Sequence, residues 1–295
     1  MNLPLTDLLA CPACGGHLDR GADGLRCPAD GDLYLLHSSG IVDLRPARTR
    51  DQAEAFAGRY RAARLAEGWR PLAPDVAQAL PHADPPGFPR LYWPLRRESW
   101  LRLAQLLAGV GRPPLPIADA GAGFPWLSHR LASLGHTVIA FDLSADTDFG
   151  LGATGLYPTA ERGIPPSLGR GRFLPVLGDL TQPPLADGAF AAVICNASLH
   201  YADDLAATVT RLARAVRPGG ALFVVDSPVA AAGRAGDRPG SRVLGRAEVD
   251  AALRDAGLTP TWHPVRRGRL WWLHRLKTRL LRRPGFEFPI VVGRA

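Results

Sequence analysis

The chain reads as an α/β protein: a doubly wound, mostly parallel sheet of seven strands, preceded by a small cysteine-bearing module. Three observations predict this. Short continuous apolar runs alternate with helical segments after residue 100, a glycine-rich turn follows the first of those runs, and three of the four cysteines fall within the first 27 residues.

The N-terminal module spans residues 1–45. Cys11 and Cys14 form a CxxC pair, and Cys27 follows after twelve intervening residues. An odd cluster of thiols so close in sequence suits a metal better than disulfides. Zn2+ bound structurally takes four ligands. In "CPAD", Asp30 stands where a second pair would place another cysteine, and a carboxylate is an acceptable ligand, so Asp30 is the favoured fourth, with His17 and His37 as rivals. Cys195, alone in an apolar run, reads as a small buried hydrophobe.

Residues 46–98 read as a helical linker and partial lid: a helix across 49–68, then a proline-broken stretch. In "LYWPLRRESW", residues 91–100, Tyr92, Trp93 and Arg96 are candidates to cover a ligand. The remaining domain covers 99–295. Trp100, Leu103, Ala104 and Leu107 recur at helical spacing, and the strand candidates follow at 115–119, 137–142, 172–177, 190–195 and 221–226. Their continuous apolar character suits strands buried on both faces. Asp203 or Asp204 caps a helix carrying Leu205, Val209, Leu212 and Val216, which "RPGG" ends. Two later strands, 259–265 and 286–292, complete the seven.

Ligands of such sheets bind beyond the carboxyl ends of the strands, so the turn after the first strand matters most. There "IADAGAGFPW" places Asp119, Gly121 and Gly123. The glycines permit a tight turn and close approach of a ligand to the backbone. Pro125 and Trp126 stand where a dinucleotide-binding loop has its third glycine, which argues against a pyrophosphate. Asp142 closes the second strand 23 residues after Asp119, near the offset at which a carboxylate receives ribose hydroxyls. Asp179, after the third strand, is placed to accept from an adenine amino group. Together these describe an adenosine without a diphosphate.

In order, "IADAGAG", "VIAFDLS", "VLGDL", "ADGAFAAVICNASLHY" and "VRPGGALFVVD" resemble the successive motifs of class I S-adenosylmethionine-dependent methyltransferases across residues 100–230. Where that family usually has an acid after the phenylalanine of "DGAF", this chain has Ala191. The resemblance implies a Rossmann-like methyltransferase fold with S-adenosyl-L-methionine as cofactor. It implies that Asp119, Gly121 and Gly123 hold the methionine portion, Asp142 and Leu143 the ribose and adenine, Asp179 and Leu180 the adenine, and Asn196, Ala197 and Ser198 the sulfonium side. His200 is the candidate catalytic base. The N-terminal module resembles the zinc ribbon of bacterial methyltransferases, including those that methylate a guanine of large-subunit (23S) ribosomal RNA.

Charge narrows the partners. The net charge of +8 resides entirely after residue 263, where nine Arg or Lys face the single acid Glu287. The basic, tryptophan-bearing stretch 266–283 is therefore the candidate surface for RNA or another anionic partner. Residues 1–45 hold six aspartates against three arginines, which disfavours phosphate contact by the zinc module. No apolar stretch is long enough for a transmembrane segment, and no basic segment precedes the first short apolar one, so a cytoplasmic location is expected. The methyl acceptor stays open between a small molecule and an RNA, with a 23S rRNA guanine methyltransferase and a catalytically silent S-adenosylmethionine-binding regulator as alternatives.

Overall fold

The computed structural model describes residues 2–22, 24–236, 240–265, 268, 271–272 and 285–295. Most of the basic stretch 266–283 lies outside these, including every Arg and Lys within it.

The frame is a sheet of eight strands: β1 (Val42–Asp43), β2 (Pro116–Ala120), β3 (Thr137–Asp142), β4 (Arg172–Leu177), β5 (Phe190–Asn196), β6 (Val216–Val225), β7 (Thr259–His263) and β8 (Ile290–Arg294), in the order β7-β8-β6-β5-β2-β3-β4-β1. All neighbouring pairs are parallel except β6–β8 and β7–β8, so β8 alone runs against the rest. The five central strands fall on the five predicted apolar runs. Their side chains are buried on both faces: Val138, Ile139, Ala140 and Phe141 of β3 are each 0% exposed.

The predicted count of seven is corrected to eight. Val42–Asp43 adds an outer strand, pairing Val42 with Val176 and Asp43 with Leu177. A two-residue strand carries no periodicity of its own, and only the exposed edge of β4 makes it one.

Helices cover both faces: α1 (Arg50–Ala66), α2 (Pro74–Ala79), α3 (Tyr92–Ala108), α4 (Trp126–Ser133), α5 (Leu205–Arg214) and α6 (Arg246–Asp255). In α3 the predicted stripe is inward, with Trp100, Leu103 and Leu107 buried. Asp204 caps α5, its Oδ1 accepting from Ala207 N at 2.9 Å. That helix stops at Arg214, and Arg217–Gly220 already belong to β6 rather than to a terminating turn.

Residues 3–35 form short strands and turns. Asp19–Arg20, Gly24–Arg26 and Leu33–Leu35 make an antiparallel sheet, while Leu3–Pro4 pairs with Ser167–Leu168. Leu5, Leu8, Leu9 and Leu18 join one buried cluster with Phe141, Val176 and Phe190. The N-terminal residues are thus packed onto the large sheet and share its core.

Among the described residues, no helix is long and apolar enough to cross a membrane.

Candidate functional site

The chain leaves β2, builds β3 and β4 to one side, then returns to place β5 on the other side of β2. A crevice opens at such a switch point, beyond the carboxyl ends of the strands. The glycine turn lies there. Gly121 N and Ala122 N both donate to Phe141 O, at 2.9 and 3.0 Å, and this pulls the turn over the end of β3.

The two glycines serve different needs. Gly121 has φ +69°, and a Cβ there would lie 2.4 Å from Ser198 Cβ, so it is the close approach of β2 and β5 that requires glycine. Gly123 has φ +50°, and an added Cβ would meet nothing within 4 Å. Its missing side chain leaves free space over the turn.

Asp142 fixes the far side of that turn. Its Oδ2 accepts from Gly123 N at 2.9 Å and its Oδ1 from Ser144 N at 3.0 Å, while burial raises its pKa. Asp119 lies beneath, 0% exposed. Its Oδ2 accepts from Ser128 Oγ at 2.6 Å, but its buried Oδ1 has no hydrogen-bond partner among the described residues. Desolvation pushes the Asp119 pKa up to about 7, with the Asp142 charge adding and the Ser128 hydrogen bonds opposing.

Past β5, Asn196, Ala197 and Ser198 face the glycine turn. Ser198 Oγ donates to Ala120 O at 2.6 Å, and Ala197 N donates to Val225 O at 2.8 Å. Ala197 (φ +54°) and Asp226 (φ +51°) are the non-glycine residues with positive φ among those described, one following β5 and the other β6. Backbone held in that region concentrates where a site constrains it. His200 is buried, with Nδ1 3.4 Å from Ser227 Oγ and its ring 4.4 Å from that of Tyr201.

A cavity of about 370 Å³ unites part of this set. Gly121, Gly123, Asn196, Ala197 and His200 line it, as do Tyr92, Trp93 and Arg96 from the segment expected to cover a ligand. Asp142 and Leu143 sit at the end of β3, and Asp179 and Leu180 follow β4, outside the cavity lining. Asp179 Oδ1 already accepts from Thr181 N and Oγ1, both at 2.7 Å.

Sequence reasoning missed four contributors. Arg64 and Trp69 from and just after α1, Phe149 after β3, and Asp226 after β6 all line the cavity. Only Asp226, the last residue of an apolar run, carried any local signal.

A second group of reactive side chains lies in the N-terminal region. One ligand atom from each of Cys11, Cys14, Cys27 and Asp30 lies within 4.8 Å of the others. Two turns of matching form bring them together. Cys11 O accepts from Gly15 N at 2.7 Å and Cys11 N donates to Gly16 O at 2.8 Å, while Cys27 O accepts from Gly31 N at 2.9 Å and Cys27 N donates to Asp32 O at 2.9 Å. Asp30 therefore occupies in "CPADGD" the place of Cys14 in "CPACGG". The Cys14 and Cys27 sulfurs are 3.5 Å apart, near the roughly 3.8 Å that tetrahedral bonds to zinc give and far from a disulfide bond. The rival histidines are engaged elsewhere: His17 with Asp19 at 3.3 Å, and His37 with Ser39 Oγ at 2.8 Å.

Comparison with known proteins agrees with this layout. Residues 118–224 match the model of a methyltransferase domain family. The chain is 32% identical over 125 residues to a demethylmenaquinone methyltransferase of Beutenbergia cavernae, covering 42% of this chain and 46% of that protein. It is 30% identical over 129 residues to a malonyl-[acyl-carrier protein] O-methyltransferase of Yersinia pestis, covering 44% and 42%. The matches thus span less than half the length of these relatives. A crystal structure of the 1,6-didemethyltoxoflavin-N1-methyltransferase of Burkholderia thailandensis superposes with a TM-score of 0.51 over 94% of this chain and 98% of that one, at 18% identity, which establishes the shared fold. Strand order, crevice and the family match over residues 118–224 thus agree on a Rossmann-like methyltransferase fold.

Proposed function

We propose that this chain is an S-adenosylmethionine-dependent methyltransferase acting on a small molecule. The observation that carries the reading is the convergence of the Gly121–Gly123 turn, Asp142 and Asn196–Ser198 on one switch-point crevice. The donor set fits the cofactor. Asp119 Oδ1 and Asn196 Oδ1 are buried acceptors without partners among the described residues, and unpaired acceptors beside the turn favour the positive charge that the ammonium and sulfonium bring. The space over Gly123 admits the chain of that ligand against the backbone.

Asp142, Leu143, Asp179 and Leu180 would receive the nucleoside, and Asp119, Gly121 and Gly123 the amino-acid portion. Asn196, Ala197 and Ser198 would border the sulfur. When bound, S-adenosylmethionine supplies a methyl group already activated for in-line displacement. The chain's own residues then have to align the acceptor and exclude water. The aromatic rings of the cavity lining would do the second, and His200 would take the proton that a hydroxyl or amine acceptor loses. A cavity enclosed by aromatic rings and the aspartate-rich N-terminal region both favour a small molecule over a 23S rRNA guanine.

We also assign structural zinc to Cys11, Cys14, Cys27 and Asp30. The module has little core of its own, and a metal tying two turns together would hold it against the large sheet.

Titration calorimetry of the purified chain tests the reading. S-adenosylhomocysteine is expected to bind at one site per chain, and NAD not to bind. Binding of NAD in preference would overturn it.

A further inference from the structure

The wall opposite the glycine turn has a chemistry of its own. Trp69 packs against Phe88 and Tyr92 with centroids 4.6 and 4.8 Å apart, and Trp93 meets Tyr92 at 5.2 Å and Trp126 at 6.0 Å. The edges and faces of these rings offer slots suited to another flat ring. Two guanidiniums lie on the same wall. The Arg64 carbon sits 4.4 Å from the ring centres of Tyr60 and Trp69, and that of Arg96 sits 3.8 Å from the centre of Tyr92.

The hydrogen-bonding inventory of the wall is unbalanced. Arg64 Nη1 is paired with Glu67 and Nη2 with Tyr60 OH, yet its buried Nε has no partner. The indole N–H groups of Trp69 and Trp93 likewise have none among the described residues, although these side chains are only 6% and 4% exposed. Arg96, half-buried, forms no ion pair or hydrogen bond among the described residues. Every one of these groups donates. Of these groups Arg96, half-buried and lining the cavity, is the one that favours a negatively charged oxygen atom there.

Glu67 pairs with Arg64 at 2.9 Å and offsets its charge, which leaves Arg96 as the cation of the two without an ion pair among the described residues. Asp148 is held by Arg61 at 2.6 Å, and Asp226 receives Ser99 Oγ. Arg242 is occupied by Glu248, and Arg70 donates to the carbonyl oxygens of Leu65 and Trp69, which leaves Arg96 as the cation best placed to receive a ligand.

Resting on the methyltransferase reading, we propose that the acceptor is a flat aromatic molecule bearing a carboxylate. Its ring packs against the Trp69–Tyr92–Trp93 wall, and its anionic oxygens are received by Arg96.

The chain, saturated with S-adenosylhomocysteine, is titrated with 3-hydroxy-2-naphthoate, 2-naphthol and cyclohexanecarboxylate and followed by calorimetry. The naphthoate is expected to bind at least about tenfold more tightly than either comparison, since it alone has both the ring and the acid. Arg96→Met is expected to weaken the naphthoate about tenfold, and Arg96→Lys less, while 2-naphthol and S-adenosylhomocysteine are bound as before. Equal affinity for all three probes, no binding of the naphthoate, or indifference to Arg96→Met with the melting temperature unchanged would overturn the proposal. Failure of S-adenosylhomocysteine itself to bind would instead remove the methyltransferase reading, so the two failures are distinguishable.

Discussion

Arg45 Nη1 donates to the carbonyl oxygen of Leu143 at 3.1 Å, across 98 residues of chain. The same guanidinium grips Asp43 through Nε and Nη2, at 3.0 and 2.9 Å, and reaches Glu54 of α1 at 2.7 Å. Arg45 is 2% exposed. One buried cation thus ties the edge strand β1, helix α1 and the residue following Asp142, joining the N-terminal region to the carboxyl end of β3.

Removing that cation leaves the buried Asp43 only the longer contact to Arg50, at 3.7 Å. Arg45→Met is expected to destabilise the chain by about 3 kcal/mol in urea denaturation, because breaking a buried pair strands a charge. Glu54 is half exposed and adds little. S-adenosylhomocysteine affinity is expected to fall as well, through the displaced Leu143 backbone. A loss below about 1 kcal/mol would show that the pair is dispensable.

The Asp119 carboxyl has a folded pKa near 7, above its value in the unfolded chain. The folded state therefore holds the proton over a range where the unfolded state has released it, and stability falls as pH rises from about 4 through 7. Asp119→Asn, whose amide oxygen can still accept from Ser128, is expected to remove this slope. The check is the difference in unfolding free energy between the two proteins at several pH values. A difference independent of pH would refute the buried-acid account.

The two glycines of the turn are expected to separate folding from binding. Gly121→Ala drives a methyl into Ser198 at a positive φ and is expected to cost about 3 kcal/mol of stability. Gly123→Ala meets open space and is expected to cost only about 1 kcal/mol, while weakening S-adenosylhomocysteine about tenfold or more by filling the crevice. Denaturation and calorimetry on both variants decide it; unimpaired binding by Gly123→Ala would place the ligand elsewhere.

Elemental analysis of chain purified without added metal is expected to find about one zinc per molecule. Asp30→Ala is expected to lower occupancy, and Asp30→Cys to keep it, since a thiolate completes the matching pair of turns. Less than about half an equivalent of zinc in the unaltered chain, with folding intact, would exclude the assignment.

Much of the frame was legible before any coordinates, because its signals are local. Continuous apolar runs mark β2 to β6, and Asp119, Asp142 and Asp179 are recognisable at or just beyond strand ends from spacing alone. The two turns that gather Cys11, Cys14, Cys27 and Asp30 are likewise written in the repeated Cys-Pro-Ala pattern. What stayed hidden depends on partners distant in the chain. Val42–Asp43 becomes a strand only because β4 offers it an edge.

By itself, then, the sequence determined the alternation of strands and helices, the turn at the head of the crevice and the two matching turns that carry Cys11, Cys14, Cys27 and Asp30, each a pattern held within a few tens of residues. Only the tertiary structure brought Arg64, Trp69, Phe149 and Asp226 to the cavity. Tyr92, Trp93 and Arg96 were expected there from one local segment, but Trp69 joins them through packing between segments distant in the chain. A hydrophobic pattern records that a side chain leaves water; which neighbours enclose it is settled by contacts between segments that the pattern does not contain.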